Sequence, residues 1–192
     1  MKRIIASLGV LLGVAALPAR AEILDLNVGH NSVGLKLAGP VSHLITDFRG
    51  QYDVGLVIKP KSSDDLLQAH VGYLISGDAG AKFVDLAAGL GIRAIYVGRD
   101  GDSGGAVAIG GQFEARLPDF NRLGLSGYGY YAPGATSLGE VDKYLEYGGA
   151  VDYQVVRDAA VYVGYRNIRY NIGNAGDVTA DAGVRVGIRL SF

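Results

Sequence analysis

The sequence predicts an all-β protein: a transmembrane, antiparallel, up-and-down β-barrel of about ten strands, with eight or twelve as the alternatives. Three observations predict it. Beyond residue 22, apolar and polar residues alternate with period two almost everywhere, and the 3.6-residue period of an amphipathic helix is nearly absent. No later apolar run approaches the ~20 residues that a spanning helix needs. The last twelve residues, DAGVRVGIRLSF, hold an apolar stripe of Ala182, Val184, Val186, Ile188, Leu190 and Phe192 up to the final position. A terminus that frays loses such order. The closing strand of a barrel must pair with the first and face lipid, so it keeps both alternation and hydrophobicity.

Residues 1–21 have their own character. Lys2 and Arg3 are followed by an apolar run from Ile4 to Leu17 and then by Ala19-Arg20-Ala21. This is the pattern of a secretory signal with an A-x-A cleavage site, and the run is short for a membrane span. Cleavage after Ala21 leaves 171 of the 192 residues, 22–192, as the barrel, and removing Lys2, Arg3 and Arg20 takes the formal charge from −1 to −4. A mildly acidic chain without a basic block is not built for nucleic acid. There is no cysteine, so disulfides and thiolate metal sites are excluded.

The alternation divides into strands at about 22–29, 32–38, 50–59, 66–76, 83–98, 104–117, 122–132, 141–156, 159–171 and 178–192. Pro40, Pro60, Pro118 and Pro133 fall at strand ends or in connections, where a missing N–H harms no ladder. PDFN at 118–121 and VRD at 156–158 read as tight turns. KPKSSDD at 59–65, GRDGDSG at 98–104, APGATSLGE at 132–140 and NIGNAGD at 171–177 read as looser, polar loops. Short turns alternating with longer loops are the asymmetry of outer-membrane barrels, and only the long 39–49 connection breaks it.

One face of these strands collects Leu67, Val71, Ile75, Leu90, Ile92, Ile109, Phe113, Leu145, Val151 and the C-terminal stripe. The other is both charged and rich in glycine: Gln68, His70, Gly72, Gly89, Gly91, Gly110, Gln112, Gly148 and Gly187. A narrow lumen favours small residues, whereas the outer face of a water-soluble barrel has no reason to be small. Lumen charges are expected at Asp85, Arg93, Glu114, Arg116, Glu146, Asp152, Arg166, Arg185 and Arg189, with Asp25, Asp53, Asp181 and Lys36 on the same face. The two signs nearly balance, which suits pairing across the lumen better than a wide ion-selective pore. Tyr128, Tyr130, Tyr131, Tyr144 and Tyr147 cluster around the 132–140 loop and are expected to form an aromatic girdle at the membrane boundary.

Several stretches, DGDSGGAVAIGGQFEARL, LGLSGYGYYAP, YLEYGGAVDYQVVRDAAVYVGYR and GVRVGIRLSF, together resemble the YfaZ family of small outer-membrane proteins. The likeness is best over residues 66–192 and rests on glycine and tyrosine spacing, a Tyr-Tyr-Ala-Pro strand end and the terminal phenylalanine. The resemblance implies an outer-membrane β-barrel with no established biochemical role and no catalytic residues to transfer. The terminal Phe192 resembles the signature by which the barrel assembly machinery recognises its clients.

Three stretches invite a chemical interpretation. GDSGG at 101–105 is the nucleophile signature of chymotrypsin-like proteases, with Ser103 as its serine. His30, His43 and His70 lie upstream, but none has the setting of that family, and a hairpin loop explains the residues. Asp100 and Asp102 lack the twelve-residue ligand pattern of a calcium loop. His30-Asn31-Ser32 places a histidine two residues from a serine, as in some lipid A deacylases, but falls where a turn is expected.

The expectation is therefore a non-enzymatic, porin-like outer-membrane barrel of a Gram-negative cell, exported through the periplasm, with a narrow or plugged lumen and no cofactor. Its expected partners are outer-membrane lipid, lipopolysaccharide and the barrel assembly machinery. A lipid or lipid A hydrolase, and a surface interaction protein acting through its loops, are the alternatives.

Overall fold

Period-two patterning over most of the chain becomes one closed sheet. The structure, a computed structural model, describes residues 22–45, 49–60, 66–80, 83–99, 102–139, 141–172 and 176–192. The expected signal at 1–21 lies outside them. The strands are β1 (Ile23–Gly29), β2 (Val33–Pro40), β3 (Gln51–Lys59), β4 (Leu66–Asp78), β5 (Asp85–Arg99), β6 (Asp102–Arg116), β7 (Leu123–Ala132), β8 (Ser137–Gly139), β9 (Val141–Val156), β10 (Ala159–Ile172) and β11 (Gly176–Ser191). Ten of them pair antiparallel with their neighbours around a ring, and the three-residue β8 is an addition on β6. The ten strands expected from the sequence are all present.

The seam closes as the C-terminal stripe requires. β1 pairs with β11 from Ile23↔Ser191 to Gly29↔Arg185. Glu22 and Phe192 then exchange two backbone hydrogen bonds, of 2.9 and 3.1 Å. β11 runs on past the β1–β2 hairpin, where its ladder is with β10 alone. There a bulge opposite Ile168 and Arg169 shifts the register. It changes which residues of β11 face inward: Ala180, the residue without a ladder partner, is buried, Val178 above it packs against the core, and Asp181 below it makes inward hydrogen bonds.

The outer wall is apolar. Val71, Ile75, Leu90, Ile92, Ile109, Phe113, Val151, Val163 and Val186 are all exposed, and Leu90 is 76% exposed. A water-soluble barrel would bury this face, and a contiguous apolar band is what a lipid-facing wall presents.

Two expectations need correction. The first is the loop asymmetry. The end carrying both termini has connections 41–50, 79–84, 117–122 and 157–158, and the opposite end has 30–32, 60–65, 100–101, 133–140 and 173–175. Among the described residues, backbone pairing consumes much of three of the four stretches that read as loops. Gly98 pairs with Ser103 and Arg99 with Asp102, so most of GRDGDSG is strand. Asn171 pairs with Asp177 and Ile172 with Gly176. APGATSLG folds into a 3-10 turn (Gly134–Thr136) and β8, which hydrogen-bonds to β6 where β7 no longer covers it. Gly139 ends β8 at φ +74°, a conformation that suits glycine.

The second correction is the tyrosine girdle. Tyr131 and Tyr147 face outward, as do Tyr96, Tyr153 and Tyr165. Tyr130 and Tyr144 are buried inside the barrel, and Tyr128 packs against the same core. The parity of YGYY forces this split, since Tyr128 and Tyr130 share one face and Tyr131 takes the other. With Tyr170, Ile168, Ile95, Val97, Ala108 and Ala132 they fill the upper interior, at the end away from the termini.

Candidate functional site

The interior is the candidate site, because the charged side chains converge there. Its geometry follows from the even or odd position of each residue on its strand. On β5 the inward position is Arg93, which is 3% exposed. Its guanidinium crosses to two other strands, donating to Asp53 on β3 at 2.5 Å and to Glu146 on β9 at 3.1 Å. The same cation lies 3.8 Å from the ring centroid of Tyr130, within cation–π distance.

This bridge continues in both directions. Tyr144 donates to Glu146, Gln68 donates to Tyr144 at 3.0 Å, and Tyr170 donates to Gln68. His70 Nε2 lies 3.3 Å from Asp53. Residues of β3, β4, β5, β9 and β10 are thus tied together through the middle of the barrel. Buried charges need such partners, since an isolated one costs several kcal/mol, on the order of 3–5.

Two further clusters lie beside it. Near the termini, Arg116 donates to Asp152 at 2.6 Å, and Arg189 lies 3.6 Å from Asp152, 3.6 Å from Asp25 and 3.9 Å from Glu114. Tyr162 and Asn27 also donate to Asp25, at 2.7 and 2.9 Å. At the seam, Arg166 donates to Asp181 at 2.7 Å and to Ser32 at 3.3 Å, while Ser32 donates to Asp181 at 3.0 Å. That triplet fastens the β1–β2 hairpin to the overhanging part of β11. Below all of these, Tyr52 donates to Glu22 at 2.7 Å at the terminal end.

Of the lumen charges expected from the sequence, Arg93, Glu114, Arg116, Glu146, Asp152, Arg166 and Arg189 join these ion pairs. Arg185 points inward but stacks near rings instead, 5.9 Å from Tyr128 and 6.0 Å from Tyr162. Asp85, the first residue of β5, is exposed at the terminal end, directly across the ladder from Arg116, and enters none of the ion pairs given above. The tyrosines of the network were missed. Their signal was parity: Tyr144 shares a face with Glu146, and Tyr162 and Tyr170 share one with Arg166.

Inward glycines receive these rings. A Cβ at Gly187 would come within 2.6 Å of the Tyr162 ring, and one at Gly110 within 2.6 Å of the Tyr130 ring. Glycine on the polar face thus makes sockets for aromatic side chains, and does not by itself mean an open channel.

The chemical motifs fare differently. Ser103 sits within β6, paired with Gly98. Asp100 lies outside the described residues. His30 is exposed at the hairpin, whereas Ser32 is buried and its hydroxyl is committed to Asp181 and Arg166. The structure does not bring that histidine and serine together.

The model of one family, described as YfaZ precursor, matches residues 1–192, the whole chain. No curated protein matches the chain by sequence.

Proposed function

Because the chain belongs to the YfaZ family and folds as a closed ten-stranded barrel, we propose that it is an outer-membrane barrel with a sealed lumen. Its role is structural and non-enzymatic. One observation carries this reading: Arg93, buried at 3% exposure, spans the lumen and is held by Asp53 on one wall and Glu146 on another. An open pore lined by charge leaves its side chains to water, whereas these are paired and stacked. The apolar outer wall supports lipid and lipopolysaccharide as its surroundings. The Glu22–Phe192 seam supports insertion by the barrel assembly machinery, with Phe192 as its signal.

Location is tested by thiol labelling, which is clean because the chain has no cysteine. Asn31→Cys and Asp119→Cys place one thiol at each end of the barrel. A membrane-impermeant maleimide added to intact cells is expected to label the first variant and not the second, with both in the outer-membrane fraction. Recovery of the protein in a soluble fraction, or equal labelling of both ends, overturns the proposal.

A further inference from the structure

The turns at the two ends of the barrel differ in what they expose. At the end carrying the termini, Leu44, Ile45, Phe83, Leu117 and Phe120 stand in the connections between strands and are all exposed, Phe83 at 85% and Phe120 at 68%. Turn positions ordinarily go to Gly, Pro, Asn, Asp and Ser. The opposite end is small and polar where it is described: His30 and Asn31 are exposed at one turn, and Gly134, Ala135 and Thr136 at another. Large apolar side chains gathered at one end form a surface that a partner or a lipid covers.

The outer wall says which. On β9 the buried Tyr144, Glu146 and Asp152 alternate with outward residues, and on β10 Tyr162, Arg166 and Tyr170 do the same. The outward positions that carry charge are Lys143 and Arg169, both exposed and near the end away from the termini. They lie close together, since Arg169 pairs with Leu145 and Asn171 with Lys143. From there to Val155 on β9 and Ala159 on β10, no outward position carries a charge. A strand tilted by about 40° descends roughly 2.5 Å per residue, so the ~25 Å apolar band of a barrel takes up about ten residues. Counted from Lys143 and Arg169, that band ends near Tyr153 and Ala159. Tyr153 pairs with Leu123, the residue that follows the turn carrying Leu117 and Phe120. The exposed apolar turns therefore continue the apolar wall at its lower boundary. Asp119 and Arg122, exposed on the same turn as Phe120, suit headgroup level and not the hydrocarbon.

We propose that the terminal-end turns are lipid anchors: Leu44, Ile45, Phe83, Leu117 and Phe120 insert between the headgroups and acyl chains of the adjoining phospholipid leaflet. The anchoring expected of tyrosines near the 132–140 loop thus lies at the other end, on residues without a polar atom. The inference rests on the outer wall facing lipid and goes beyond it by placing the turns in lipid as well.

The chain has no tryptophan, so a single introduced one reports alone. Phe83→Trp, Phe120→Trp, Val71→Trp on the outer wall and Thr136→Trp at the opposite end are each refolded into phosphatidylcholine vesicles. The acyl chains carry bromine, a contact quencher, either near the headgroup or near the methyl end. Phe83→Trp and Phe120→Trp are expected to lose most of their fluorescence to bromine near the headgroup and less to the deeper bromine. Val71→Trp is expected to respond most to the deeper bromine. Thr136→Trp is expected to respond to neither, which controls for tryptophan's own affinity for interfaces. Quenching of Val71→Trp without quenching of the two turn variants overturns this proposal and leaves the lipid-facing wall standing, with a protein partner or a second copy as the cover for the turns. No quenching of Val71→Trp overturns both. Thr136→Trp quenched as strongly as Phe120→Trp overturns the anchoring of one end.

Discussion

Arg93→Met tests the network at its centre. The substitution keeps an unbranched chain of similar reach but removes the arginine that Asp53 and Glu146 share. Both carboxylates are buried, at 2% and 4% exposure, so neither gains water in exchange. His70 remains 3.3 Å from Asp53, while Glu146 keeps the Tyr144 hydroxyl. Breaking a buried pair from one side costs about 3–5 kcal/mol. The lost stacking on Tyr130 adds up to about 2 kcal/mol. The total is a large share of the ~5–15 kcal/mol that stabilises a typical domain. Urea titration of the barrel in lipid vesicles, scored by the heat-modifiable fraction, measures it. Adding Asp53→Asn and Glu146→Gln to Arg93→Met removes the stranded charges and is expected to recover most of the loss. A single variant within about 1 kcal/mol of wild type refutes the reasoning, since the mechanism requires the ~3–5 kcal/mol of a broken buried pair. So does a triple variant less stable than the single one.

Other perturbations read other parts of the fold. A Cβ at Gly110 would lie 2.1 Å from the Gly129 carbonyl oxygen, so Gly110→Ala forces two strands apart. It is expected to destabilise by about 1–3 kcal/mol in the same titration. Val71 is 59% exposed on the outer wall. Val71→Arg is expected to cost about 2–4 kcal/mol in a bilayer, as at the midplane of other barrels, and an effect near zero would argue against a lipid-facing wall. Deleting Phe192 removes both backbone bonds to Glu22 and the terminal aromatic. The folded fraction in outer membranes is expected to fall, as read by heat-modifiability.

The strands were legible in the sequence because a half-buried sheet imposes a period of two that survives along the whole chain. Even β1 to β3, outside the stretches that carry the resemblance in the sequence, show it in Asp25, Asn27 and Asp53. Faces were legible wherever charge marked them, which is why Arg93, Glu146, Asp152 and Arg166 were located. The tyrosines were not, because a phenol ring suits a membrane boundary and a tight interior equally well. Parity with Glu146 and Arg166 separates them, and strand register then seats them, with Gly187 beside Tyr162 and Gly110 beside Tyr130. Loops were the least legible. Gly, Asp and Ser in GRDGDSG carry turn propensity, yet Gly98↔Ser103 pairing overrides it. Which charges stay outside the ion pairs was invisible as well, since Lys36 and Arg185 differ from their neighbours only in geometry.

Planar-bilayer recording of the refolded, heat-modifiable barrel is the most direct test of the sealed lumen. Arg93 crosses the interior to Asp53 and Glu146, and Gln68 bonds Tyr144 and Tyr170. With these bridges intact, the wild-type barrel should show no discrete conductance steps. Stable steps from the wild type, altered in size or ion preference by Arg93→Ala, would contradict a sealed lumen and make the barrel a channel.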